Sequence, residues 1–131
     1  TLLAAMAFLS PSLAVAQQDR DTPNWIRIHT SNEPDVQTYV DLKSIRSGNG
    51  YRQAWVKDVF AVHRNNVEEV WVQYEADCKE TSVRILQSRI YLQDGSTIDR
   101  NESEDWLSIL PDDGSGLKAL YDAVCGAKLR Q

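Results

Sequence analysis

The sequence predicts an α+β domain: an antiparallel β-sheet meander of about five to six strands, with a C-terminal helix packed on one face and one disulfide stapling the two. Three observations carry this prediction. From Trp25 onward, apolar side chains recur with the period of two that marks half-buried strands. Gly and Asn fall between the runs, where tight turns need them. In the tail the period lengthens, and Leu117, Leu120, Tyr121 and Val124 line one stripe of an amphipathic helix. At 131 residues, with 42% hydrophobic and 25% charged side chains, the chain suits a single core.

Residues 1–16 (TLLAAMAFLSPSLAVA) read as a signal peptide. They carry no charge, a short apolar run from Leu2 to Leu9, a break at Pro11, and the small-residue pattern Ala14-Val15-Ala16 that precedes signal cleavage. The apolar run is far shorter than the ~20 residues a membrane span needs. No cysteine stands at the cleavage site, so export without a lipid anchor is expected. The periplasm is the first location to expect, with the cell surface or secretion as others. Residues 17–24 form a polar, flexible lead-in, and 25–131 form the single domain.

Trp25 to Thr30 alternates as a first strand, SNEPD turns the chain, and Val36 to Val40 is the second strand. Leu42 and Ile45 are spaced for one helical turn, and Ser47-Gly-Asn-Gly makes a hairpin turn into a third strand, Tyr51 to Val62. After the polar turn at His63, Val67 to Cys78 is the fourth strand, with Val70, Val72, Tyr74, Ala76 and Cys78 on the buried side. Thr81 to Gln93 is the fifth. Its apolar pattern slips phase near Leu86, which predicts a β-bulge. Asp94-Gly95 closes it, and Ser96 to Ile98 begins a short sixth. Asp112, Asp113 and Ser115 supply cap and acidic residues ahead of the helix, and Gly126 and Lys128 suit its end.

Cys78 ends a strand facing inward and Cys125 ends the helix beside its apolar stripe, so both sit where helix meets sheet. In an exported chain two cysteines are expected to be oxidised together. A redox pair usually has its resolving thiol close by, and a zinc site needs about four closely spaced ligands, whereas the chain has two histidines, His29 and His63. A structural Cys78–Cys125 disulfide closing 47 residues is the reading.

The net charge of −5 argues against nonspecific nucleic-acid binding, which needs a basic face. His29 and His63 are the acid/base candidates, yet no G-x-S-x-G or other nucleophile motif accompanies them. Asp99, Asn101, Ser103 and Asp105 alternate like the start of a calcium loop. Glu104 and Leu110 occupy the positions where that loop needs Gly and Glu, so a solvated acidic loop is expected. No metal, cofactor or catalytic group is predicted. Four tryptophans, Trp25, Trp55, Trp71 and Trp106, have core packing as their default reading. Trp71 differs, because alternation points it away from the Val70/Val72 face and a single helix covers only one face. With Arg89 it forms the candidate partner-binding pair.

Trp25, the segment YVDLKSIRSGNG, AWV at 54–56, YEADC at 74–78, DGS at 94–96, Trp106 with ILP, and the helix ending in Val124-Cys125 together resemble the surface-adhesin protein E-like domain of Gram-negative bacteria. The resemblance runs from about Trp25 to Cys125. It implies an antiparallel sheet on a C-terminal helix, paired Cys78 and Cys125, a homodimer, and adhesin-like binding of proteins. The chain lacks the lipid-anchor cysteine of the founding adhesin. The expected function is therefore an exported, disulfide-stapled binding module for a protein partner, with no enzymatic chemistry. The alternatives are a small periplasmic enzyme or ligand carrier using His63 or the acidic loop, and an envelope accessory factor.

Overall fold

Period-two patterning produces one antiparallel sheet, described by a computed structural model for residues 22–32, 35–62, 65–110, 114 and 116–129. Residues 1–16, where a signal peptide is expected, and His63, Asp112, Asp113 and Ser115 lie outside the described residues. The strands are β1 (Trp25–Asn32), β2 (Asp35–Asp41), β3 (Arg46–Gly48), β4 (Tyr51–Phe60), β5 (Val67–Asp77), β6 (Ser82–Leu92), β7 (Thr97–Arg100) and β8 (Leu107–Ser108). Their order is β1-β2-β4-β5-β6-β7, with β3 on β4 and β8 on β6, so the meander stands. Eight strands replace the expected five to six. The additions are β3, three residues exposed throughout, and β8, only two residues long, both too short to carry an apolar period.

Turn chemistry fits the backbone. Asn49 (φ 54) and Gly50 (φ 83) take the left-handed conformations that a two-residue hairpin between β3 and β4 requires. Leu42–Ser44 forms the expected helical turn, a 3₁₀ turn capped by Asp41, whose carboxylate accepts from the Lys43 backbone N–H at 3.0 Å. The predicted bulge falls at Leu86. Gln87 opposes Gln73 and Ile85 opposes Tyr74, leaving Leu86 without a partner on β5. Two further irregularities, beside Ile28 in β1 and Glu68 in β5, have no phase slip in the sequence to announce them.

Helix α1 (Gly116–Gly126) covers one face. Leu120 and Val124 are 2% and 1% exposed, and they pack with Val40, Ala54, Val56, Ala76 and Val83. The helix end is fastened three ways. Cys78 and Cys125 are joined. The Arg52 guanidinium donates from Nη1 to the carbonyls of Val124 (2.8 Å), Cys125 (3.1 Å) and Ala127 (2.7 Å), the otherwise unmatched acceptors of a helix C-terminus. Tyr121 donates its hydroxyl to the Cys78 carbonyl at 2.9 Å. One layer of core between sheet and helix results, and among the described residues no helix lies on the opposite sheet face.

Candidate functional site

On β4 and β5, Val56 and Val72 face the helix, so Trp55, Lys57, Trp71 and Gln73 face the other way. Register places Lys57 opposite Trp71 on one side and Arg89 opposite Trp71 on the other. Trp25 of β1 joins them although β2 and β4 intervene, a separation of about 14 Å at ordinary strand spacing. The two indoles bridge it by leaning together above a curled sheet, their centroids 5.0 Å apart in an edge contact. Tyr91 closes against Trp71 from the far side at 5.2 Å.

A cation is built into this cluster. The Lys57 ammonium lies 4.6 Å from the Trp25 ring centre, 5.5 Å from Tyr39 and 5.9 Å from Trp71. Glu69 stands 3.9 Å from the same ammonium and accepts the Trp71 indole N–H at 3.1 Å. Arg89 is held by Asp99 through two parallel bonds, Nε to Oδ1 at 2.6 Å and Nη2 to Oδ2 at 3.0 Å. That pair keeps the Asp99 carboxyl below its ordinary range and the Arg89 guanidinium above its own. Trp25, Trp55, Trp71, Tyr91, Asp41 and Arg89 line a cavity of about 280 Å³ on the sheet face. Among the described residues Trp55 has no ring or cation stacked on it.

The lower half of the same face is closed. Glu75 points away from the helix, as alternation requires, yet it is 6% exposed. Arg84 covers it, donating Nε at 2.9 Å and pairing Nη2 at 2.7 Å, and Gln53 adds a bond at 3.1 Å. Trp106 then lies over the Arg84 guanidinium at 4.8 Å and against Tyr51 at 5.2 Å. These contacts pair the Arg84 charge with Glu75 and pack aromatic rings over it.

A polar pocket also sits beneath the start of α1. Thr38 donates its hydroxyl to Asp58 at 2.6 Å, and Tyr74 and Ser31 share the lining. Burial raises the Asp58 carboxyl, against the Thr38 bond and the His29 charge, which both lower it. Burial also pushes the Tyr74 phenol up to about 12, with the Asp58 and Glu104 charges adding to the rise. His29 makes no hydrogen bond among the described residues. In the acidic loop, Asp99 is committed to Arg89, and among the described residues no group of three or more His, Cys, Asp or Glu is arranged to hold a metal.

The two candidate residues from the sequence, Trp71 and Arg89, therefore line one cavity, and His63 lies outside the described residues. Trp25, Tyr39, Lys57 and Tyr91 were not legible as members. Alternation places each on a face, but their meeting depends on the curl of the sheet.

The family model of surface-adhesin protein E matches residues 25–126, a span holding the aromatic face and both cysteines. The chain belongs to the surface-adhesin protein E family. Solved structures of protein E from Haemophilus influenzae share the adhesin E fold. One from a non-typeable strain has a TM-score of 0.54 at 17% identity, covering 78% of this chain and 75% of that one. A selenomethionine form has a TM-score of 0.56 at 15% identity, covering 80% and 92%. At such identity the likeness to protein E is one of fold. No curated protein matches the chain in sequence. Among the described residues no helix is long and apolar enough to cross a membrane, which says nothing of a β-barrel.

Proposed function

We propose that this adhesin E domain is an exported, disulfide-stapled binding module that engages a protein partner through the sheet face opposite α1, with Trp71 and Arg89 among the contacting residues. The observation that carries the reading is the aromatic cavity. Three tryptophans and a tyrosine gather on a face that no helix among the described residues covers. Aromatic and arginine side chains in such settings are the usual energetic centres of interfaces. Adhesin-like binding of proteins and a homodimer, both implied by the family, fit the same surface. The arrangement performs no chemistry in this reading, because its charges are paired with one another instead of being aimed at a reacting atom.

The test uses matched baits of purified, oxidised wild type, Trp71→Ala and Arg89→Ala in envelope and host-matrix extracts, followed by direct binding to whatever differs between them. Loss of a defined partner by about tenfold or more, with melting unchanged, supports the face. Retention of every partner by both variants refutes it. Protease treatment of whole cells, against cells whose outer membrane has been opened, separates surface display from a periplasmic location.

A further inference from the structure

Resting on the reading that the aromatic face binds a polypeptide, we infer that the cavity receives an arginine side chain of a basic partner segment, stacked on Trp55 and counter-charged by Asp41. The face already selects for cations. Lys57 of the chain itself lies within 6 Å of three rings, at 4.6, 5.5 and 5.9 Å, where the negative ring faces attract positive charge.

The charge balance of the wall points the same way. Its own cations are matched, Arg89 by Asp99 at 2.6 and 3.0 Å and Lys57 by Glu69 at 3.9 Å. The Asp41 carboxylate, held by the backbone N–H groups of Asn24 (2.8 Å) and Lys43 (3.0 Å), adds negative charge at the cavity. A cationic guest leaves the two-bonded Arg89–Asp99 pair intact and finds in Asp41 a carboxylate that, among the described residues, no side-chain cation is shown to match. The net charge of −5 draws basic partners from a distance.

Size and shape favour arginine. At about 280 Å³ the cavity sits at the lower edge of small-molecule pockets and suits one long side chain. A guanidinium is flat and weakly hydrated, and it stacks on aromatic rings while its edge N–H groups reach carboxylates. Trp55 lines the cavity with no stacked partner, and its indole N–H has no acceptor among the described residues.

The probe is a short glycine-flanked arginine peptide, with its neutral citrulline twin, titrated into the oxidised protein while the four indole N–H signals are followed by NMR. The expected result is saturable movement of the Trp55 and Trp71 signals. Response to the citrulline twin should be about fivefold weaker or less, and added salt should weaken the arginine response. Trp55→Leu should weaken it by a similar factor; if that variant does not melt cooperatively, the wild-type shifts decide alone. No movement, equal movement with citrulline, movement confined to Trp106, or saturation instead by a proline-rich peptide or an oligosaccharide would overturn the inference. Loss of partner binding in Trp71→Ala without an arginine response removes this inference and leaves the binding face. An arginine response with partner binding intact in Trp71→Ala supports the guest chemistry and removes the face as the partner's site.

Discussion

Arg89 and Asp58 behave oppositely because one is exposed and the other buried. The Arg89–Asp99 pair lies in solvent, where screening and side-chain entropy leave exposed ion pairs little net effect on folding. Arg89→Ala is therefore expected to melt with wild type, so any loss of binding reports on the interface alone. Asp58 has its carboxyl raised by burial, so its contribution to stability is complete below the ordinary value of 3.8 and is lost as pH rises through the raised folded value. Asp58→Asn keeps an acceptor for Thr38 but cannot ionise. It should match wild type in acid below that value and melt higher near neutrality; a gap that does not change with pH would refute the account. Tyr74 works at the other end of the scale. Its phenol, raised from 10.0 to about 12, supplies stability below 10.0 that is lost as pH climbs through about 12, and Tyr74→Phe should flatten that alkaline loss in pH-dependent melting. At this scale the sequence showed faces and missed meetings. Alternation put Trp71 and Glu75 on the uncovered face. It did not reveal that Trp25 would reach one across two strands, or that Arg84 and Trp106 would bury the other.

Elements were legible wherever a periodic run was long enough to average over its exceptions. The phase slip at Leu86 was readable because Val83 and Ile85 on one side, and Ile90 and Leu92 on the other, set two clear registers. The irregularity beside Glu68 was not, since it sits at the start of β5, and the one beside Ile28 falls in the middle of β1, where no apolar run follows it to set a second register. Deleting Leu86 should leave Ile85 and Gln87 on the faces they already occupy, so the variant should still fold with its disulfide formed. Deleting Gln73 from the opposing strand reverses the side chains beyond it and should abolish cooperative melting. Arg52 is the counterpart for the helix. Three carbonyls at the end of α1 accept from one guanidinium nitrogen, so Arg52→Ala should cost about 2 kcal/mol in denaturant unfolding. Nothing in the local sequence around Arg52 pointed to this role, because its acceptors lie 72 to 75 residues away.

For the whole molecule, the decisive facts were few: a strand-rich body, a helical tail, and two cysteines on elements that had to meet. That logic produced the architecture and the Cys78–Cys125 link, because burying a half-apolar helix against a half-apolar sheet admits few alternatives. Closing a 47-residue loop stabilises a domain of this kind by about 4 kcal/mol through the entropy removed from the unfolded chain. Reduction should lower the unfolding free energy by about that amount, and both thiols should resist alkylation until reductant is added. The uncovered sheet face was visible only as a remainder, the side the helix does not reach, and the chemistry gathered there needed the register to be seen.

The same link has a mechanical side. A molecule that holds a partner while anchored elsewhere is loaded along its backbone, and the bond between β5 and the end of α1 diverts that load around everything from β6 through the helix. Stretched to its limit, the bypassed chain would add about 160 Å of contour, and with the bond intact none of that length can be paid out. Under tension, the oxidised protein should therefore behave as a short tether with a hard stop, and only a reducing environment would let it lengthen.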